Sequence, residues 1–401
     1  MSLEEVVPRS PSEERAEVAS ATVNRLGNVL ETSRVLVSVG PGGVGKTSTS
    51  AAMALEAARR NKRVAVLTID PARRLANALG LTEIGSDEKI IDAAAFARAG
   101  LDPPTGAMSA MMLDIKGMWD ETVRRHHPDP VKRKKLLQNR MYQTLSTALA
   151  GSQEYMAMEK LHDLASRTVD PLDVIVLDTP PSANAVDFLE APSKLIDALD
   201  NEATRWLTEP YKKRGRVTAR ILDAGSSFLL RSLGRFTGTE ALEALAELLS
   251  GFQDMFDGFR TRALAVKTLL ADQKTSFVIV SAPRPGPLAE ALAFHTRLSE
   301  ESIRIGGFVL NRATVDPFAE HAEDAARLGP AIAAAGGSPA LAARIEGLAR
   351  THHAAAEAER KMAGDLSKHG GGLPVWMVPE LRRDVHDLAG LDQLRHHLFY
   401  G

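Results

Sequence analysis

One segment constrains this chain more than any other: Gly40-Pro41-Gly42-Gly43-Val44-Gly45-Lys46-Thr47. It fits the spacing G-x-x-x-x-G-K-[ST], follows the apolar run Val35-Leu36-Val37-Ser38-Val39, and precedes the helix-forming Ser50-Ala51-Ala52-Met53-Ala54-Leu55-Glu56. Strand, glycine-rich loop and helix in that order make a phosphate-binding loop. The glycines permit a tight turn that aims successive backbone N–H groups at phosphate oxygens, and the helix adds the positive end of its dipole. Gly40, Gly42, Gly43, Val44, Gly45 and Ser48 are therefore expected around the phosphates. Lys46 is expected to reach the β/γ-phosphates and Thr47 to ligate Mg²⁺, so the chain is expected to bind a nucleoside triphosphate.

Beyond the loop, short β-branched runs alternate with long helical stretches. The runs are Arg34–Val39, Arg63–Asp70, Asp173–Asp178, Phe277–Ala282, Gly307–Asn311 and Pro374–Val378. This rhythm predicts an α/β fold, a mostly parallel P-loop NTPase sheet flanked by helices on both faces. Ligands of such sheets bind at the carboxyl ends of the strands. Four of the runs end at or just before Gly40, Asp70, Asp178 and Asn311, which gathers nucleotide-facing groups on one edge. Residues 1–33 read as an N-terminal arm and 34–401 as the P-loop domain. Helical elaborations are expected at about 115–170 and 190–272, where the strand rhythm lapses.

Composition narrows the class. A net charge of -2 over 401 residues gives no reason to expect nucleic acid. No apolar run of membrane-spanning length occurs, and Met1-Ser2-Leu3-Glu4-Glu5 opens an acidic stretch rather than a signal peptide, so a cytoplasmic protein is expected. Zero cysteines exclude disulfides, thiolate zinc sites and iron–sulfur clusters from the chain.

Two strand-terminal carboxylates are candidates for chemistry. Asp178 closes Leu172-Asp173-Val174-Ile175-Val176-Leu177-Asp178 and is expected to hold Mg²⁺, usually through its waters. Asp70 closes Leu67-Thr68-Ile69-Asp70 and could orient and deprotonate an attacking water. Taken alone, either could simply cap the next helix. Together with the loop, Lys46, Asp70 and Asp178 form the expected catalytic set.

The loop, Asp70-Pro71-Ala72-Arg73-Arg74-Leu75, Gln153-Glu154-Tyr155-Met156-Ala157-Met158-Glu159, Asp178-Thr179-Pro180-Pro181-Ser182 and Gly307-Phe308-Val309-Leu310-Asn311-Arg312 together resemble the arsenical-pump ATPase family. That family includes the eukaryotic ATPase that targets tail-anchored membrane proteins and a bacterial anion-transporting branch. The resemblance covers about residues 34–395. It implies a dimeric ATPase using ATP and Mg²⁺, with Asp70 in switch I, Asp178 in switch II, and Asn311 and the neighbourhood of Pro379 at the adenine. It implies a homodimer or a heterodimer with a paralogous ATPase, and an apolar client or membrane partner.

Three departures limit it. The thiolates that bind metalloid in the pump are absent, as is the Cys-x-x-Cys zinc clasp of the targeting member. The family's signature Lys, which crosses to the partner's nucleotide, is replaced by Pro41, which has no charge and no backbone N–H. A partner paralogue carrying that Lys is therefore expected, whether this chain is the catalytic or a regulatory subunit.

Weaker signals remain. Seven of the 12 methionines, Met108, Met111, Met112, Met118, Met141, Met156 and Met158, lie close together in sequence, suiting a client groove or core packing, with core the preferred reading. Ala107–Asp114 also reads as a core strand. Phe252, Met255, Phe256 and Phe259 mark one helix face, for which core is the preferred reading. Phe228-Leu229-Leu230 with Leu233 is the expected exposed patch. Lys132-Arg133-Lys134-Lys135 and Lys212-Lys213-Arg214 read as solvated helix faces. The His126-His127, His352-His353 and His396-His397 doublets lack the spacing that aims two rings at one metal. Asp384-Val385-His386-Asp387 reads as a helix cap, with a nucleotide-linked latch as the alternative.

Overall fold

The computed structural model describes residues 26–401 apart from 70–73, 82, 141, 144–145, 147–151, 180–189, 192, 194–196, 198–247, 249–254 and 317–321. Asp70, Pro180-Pro181-Ser182, Lys212-Lys213-Arg214, Phe228-Leu229-Leu230 and Phe252 lie outside the described residues, as does most of the expected elaboration at 190–272.

All six expected runs are strands: β1 (Val35–Val39), β2 (Arg63–Thr68), β5 (Val174–Asp178), β6 (Thr275–Ser281), β7 (Ile305–Ala313) and β8 (Val375–Pro379). Two more join them, β3 (Lys89–Ile90) and β4 (Ala107–Met112). The sheet order is β3-β4-β2-β5-β1-β6-β7-β8. Every pairing is parallel except the short antiparallel β3–β4 edge.

Alternation along the central strands builds two cores. Val35, Val37, Val39, Ile175, Leu177, Phe277 and Ile279 pack into one cluster, while Leu36, Val174, Val176, Val278 and Val280 pack into the other. A parallel strand covered on both faces needs apolar side chains at both parities, which is why these runs read as continuous rather than alternating. Each such side chain contributes about 1.5–3 kcal/mol on burial.

The second cluster is closed by residues 26–32, by α1 (Lys46–Arg59), and further along by α2 (Arg74–Ala78) and α3 (Ala93–Arg98). The first is closed by α4 (Ile115–His126), α5 (Pro130–Gln138), α6 (Ser152–Ala165), α7 (Phe256–Leu270), α8 (Pro285–Glu300) and, after α9 (Ala322–Ala334), by α10 (Pro339–His369). The last helix, α11 (Leu388–Tyr400), returns to α1 and the second cluster through Leu388, Leu391, Leu394, Leu398 and Phe399.

Helix α1 is alanine-rich and buried along most of its length, so it lies close against the sheet and α11. Within this apolar setting sits Glu56, with no exposed surface. It accepts hydrogen bonds from Arg60 Nε at 2.8 Å, Arg395 Nη1 at 2.6 Å and Tyr400 Oη at 2.8 Å. Burial pushes its carboxyl up, but these donors outweigh burial and hold it below the ordinary glutamate range.

The methionine and aromatic stripes are packing where their side chains are described; Met141, Phe252 and the Phe256 side chain lie outside that description. Met108, Met111, Met156 and Met158 are buried, and Met255 and Phe259 are buried on α7. Phe259 meets Trp119 and Tyr155 edge-on at 6.0 and 5.8 Å between ring centroids. Glu159 takes both carboxylate oxygens to Arg262 Nε at 2.8 Å, and Tyr155 donates to the same carboxylate. Lys132, Lys134 and Lys135 are exposed on α5 while Leu136 turns inward, the arrangement of a solvated face. Among the described residues no group of three His, Cys, Asp or Glu could hold a metal ion, and no helix is long and apolar enough to cross a membrane.

Candidate nucleotide site

β1 lies at the centre of the sheet between β5 and β6, and the loop leaves its carboxyl end. Two glycines show why no other residue fits there. A Cβ on Gly40, at φ 146°, would lie 1.9 Å from the Val280 carbonyl oxygen, and one on Gly45, at φ 94°, would lie 2.1 Å from Asn311 Nδ2. The backbone thus passes against β6 and β7 at distances that exclude a side chain.

Lys46 spans its own loop, donating from Nζ to the carbonyls of Gly40 at 2.9 Å and Pro41 at 2.8 Å. Pro41 is itself buried. Thr47 Oγ1 donates to Asp178 Oδ2 at 2.8 Å, and Thr68 Oγ1 donates to the same oxygen at 2.9 Å. The β2–β5 register places Thr68 directly opposite Asp178, which is fully buried. Beneath them Ser38 accepts from Thr179 Oγ1 at 2.7 Å through its carbonyl and from Ser50 Oγ at 2.8 Å through its hydroxyl. A hydroxyl and a carboxylate side by side are hard oxygen donors, which suits Mg²⁺.

A cleft of about 470 Å³ opens from this loop toward the ends of β7 and β8. Gly43, Gly45, Lys46, Thr47, Ser48, Asn311 and Pro379 line it. Three expected residues sit otherwise. Gly40 and Val44 support the loop from below, Val44 through its carbonyl, which accepts from Asn311 Nδ2 at 2.9 Å; Gly42 lies on the outside of the turn. Asn311 is thus a strut as well as a wall.

The far wall contains residues that the sequence reading named for other reasons or did not name. Arg312 has φ 62°, at a register irregularity where β7 meets β8, and approaches Asp384 at 3.8 Å. Glu380 N donates to Ala313 O at 2.8 Å, and Thr314 donates from N and Oγ1 to Glu359 of α10 at 2.6 and 2.7 Å. Arg383, Asp384, Val385 and His386 complete this wall, and Asp387 caps α11 by accepting from Gly390 N at 2.8 Å. Cap and cleft wall are therefore consecutive parts of one segment. On the opposite side Arg74 and Asn77 of α2 also face the cleft. Thr68 could have been suspected from its place two residues before Asp70, and Arg74 and Asp384 to His386 stand in segments the sequence already marks; Glu380 and Arg383 become visible only with the strand register and the return of the chain from α10.

Comparison with known proteins agrees with this geometry. The family described as anion-transporting ATPase matches residues 33–327. Proteins named ATPase get3 are similar over a shorter stretch. That of Aspergillus terreus is 31% identical over 161 residues, covering 40% of this chain and 43% of the relative. That of Schizosaccharomyces japonicus is 30% identical over 181 residues, covering 43% and 49% respectively. The matched region thus spans less than half the length of either relative. With the family matching about three-quarters of its length, the chain belongs to the anion-transporting ATPases, a family of ATP-hydrolysing enzymes.

Proposed function

We propose that this chain binds ATP with Mg²⁺ in the cleft and hydrolyses it, and that it does so as a dimer, whether with itself or with a paralogue. The observation that carries the reading is the junction of Thr47, Asp178 and Thr68 beside Lys46 at the mouth of the central strand. In this reading the loop N–H groups and Lys46 bind and neutralise the phosphates. Thr47 and Asp178 would hold Mg²⁺, which when bound neutralises charge on the β- and γ-phosphates. Asp70 accepts the proton of the attacking water. Asn311 and Pro379 would border the adenine. The segments following Asp70 and Asp178 would pass the state of the nucleotide to the helical layer, where an apolar client or membrane partner is engaged.

A second reading, a nucleotide-binding regulatory subunit serving a catalytic paralogue, is favoured by one observation: the second loop residue is a buried proline with no cation to lend a neighbour. A third, the energising subunit of an anion transporter, rests on the family description alone. Steady-state phosphate release by the purified chain, with Mg²⁺ and with EDTA, tests the first reading. Mg²⁺-dependent turnover that disappears in Lys46→Ala is expected. ATP binding without turnover, with activity appearing only on adding a paralogue, would move the chain to the regulatory reading.

A further inference from the structure

Breaking the terminal phosphoanhydride of ATP transfers charge onto the departing bridge oxygen and the equatorial phosphoryl oxygens, so a further cation there, besides the loop lysine and Mg²⁺, greatly speeds hydrolysis. Position 41 cannot provide one in this chain. Its side chain is a buried proline ring, and its contribution is a carbonyl that accepts from Lys46.

Four Lys or Arg residues line the cleft among the described residues: Lys46, Arg74, Arg312 and Arg383. Arg312 approaches Asp384, and Arg383 is the neighbour of Asp384 in sequence, so both belong to the wall built after β7 and β8. Arg74 has a different origin. It opens α2, which follows the segment begun by Asp70, beyond the strand whose Thr68 bonds Asp178. Leu75, Ala76 and Ala78 are buried and fix the helix to the core, while Arg74 and Asn77, three residues apart, remain exposed and face the cleft. Its guanidinium offers donors in a planar fork that matches phosphoryl oxygens.

We propose that Arg74 supplies, within the same subunit, the cation that stabilises the transferring phosphoryl group. The inference rests on the ATPase reading given above. In the step, the bond between γ-phosphorus and the bridging oxygen breaks as water oxygen bonds to that phosphorus. The bridging oxygen leaves with ADP, and the water's proton passes to Asp70. Arg74 exchanges no proton; it lowers the energy of the charge on the phosphoryl oxygens. A consequence is that the single gene product turns over without a second protein.

The test uses the full-length chain purified without any paralogue, as wild type, Arg74→Ala and Arg74→Lys. Three quantities are read: turnover, ATP affinity, and affinity for Mg·ADP with aluminium fluoride, which mimics the phosphoryl group in flight. In Arg74→Ala, turnover and the tightening by aluminium fluoride are expected to fall together by about 10³-fold, the scale of an arginine acting on a phosphoryl transition state, with ATP affinity altered far less. Arg74→Lys should recover part of both. Thermal melting of each variant, measured alongside, separates chemistry from folding.

Wild-type levels of turnover and of aluminium fluoride tightening in Arg74→Ala would overturn the proposal. So would a wild-type chain that acquires activity only when a paralogue is added, with Arg74→Ala no worse in that mixture; the cation would then come from the partner. The ATPase reading fails separately. A wild-type chain without turnover that nonetheless binds the mimic tightly, and loses this in Arg74→Ala, would reject hydrolysis while retaining Arg74. A wild type with neither turnover nor tightening would reject both.

Discussion

The two ends of the cleft are built in opposite ways. The phosphate end is made of backbone and buried polar groups: glycines pressed against β6 and β7, Lys46 tied to two loop carbonyls, and Thr47 and Thr68 converging on a fully buried Asp178. The far end is a row of exposed charged side chains, with Arg312 and Asp384 at 3.8 Å in solvent. Preorganised buried donors are worth most where charge develops, because low dielectric strengthens them and no reorganisation is needed. Exposed pairs contribute about 0–1 kcal/mol and adapt readily. On the proposed reading, the difference suits chemistry at one end and adjustable recognition at the other.

The largest expected effect comes from the connection behind the two ends. Glu56→Ala strands Arg395, which is itself mostly buried, and should cost about 3–5 kcal/mol of stability, read by chemical denaturation. The pH dependence has a definite sign. The folded carboxyl is held below its ordinary value, so its contribution is complete above the unfolded value of about 4.3 and disappears as pH falls through the lower folded value. The gap between wild type and Glu56→Ala should therefore narrow on acidification below about pH 4; a constant gap would mean that packing, not charge, holds the helices.

At the phosphate end, Lys46→Ala should lower turnover by about 10²–10³-fold, on the order of 3–4 kcal/mol, while the fold persists because the bonds from Nζ to Gly40 and Pro41 lie within one loop. Unchanged turnover in a folded variant would remove the chemical assignment from that end. Gly40→Ala should destabilise by about 2–3 kcal/mol, since the methyl meets a backbone oxygen in the middle of the sheet and cannot displace it cheaply. A melting curve like that of wild type would show that the loop is not rigid.

Asn311→Ala, at the junction of the two ends, removes the bond to Val44 O and should cost about 1 kcal/mol together with a loss of ATP affinity. Arg312→Gly is the smallest. Glycine accommodates φ 62° without strain, which offsets the lost ion pair, so stability should change by less than about 1 kcal/mol. A shift as large as that of Gly40→Ala would erase the contrast between the ends.

This contrast also explains what was legible in the sequence. The phosphate end could be read because its chemistry is local: Lys46 and Thr47 adjoin the glycines, and Asp178 closes a strand whose apolar run announces it. All six expected strands form for the same reason, since buried parallel strands advertise themselves by composition. β3 went unread because two exposed residues carry no period. Pro379, Asp384 and Arg312 come together through β7–β8 pairing across the intervening α9 and α10, a juxtaposition no local pattern encodes. The methionine cluster is ambiguous in sequence for a different reason, although core is its preferred reading. Composition reports that side chains are apolar and adaptable, but not whether a sheet or a client covers them, and β4 and α6 turn Met108, Met111, Met156 and Met158 into the core.

The Glu56 junction has a mechanical consequence. One carboxylate ties α1, which carries Lys46 and Thr47 at its start, to α11, whose cap Asp387 directly follows the wall residues Arg383 to His386. Loop and wall are therefore anchored to one another through a buried carboxylate, on the side of the sheet away from the helical layer. At the mouth of the cleft the Thr47 hydroxyl bond adds a second tie, to Asp178 at the end of β5, beside the β1–β5 ladder. A ligand that drew Thr47 away from Asp178 would break the second tie and leave the first intact.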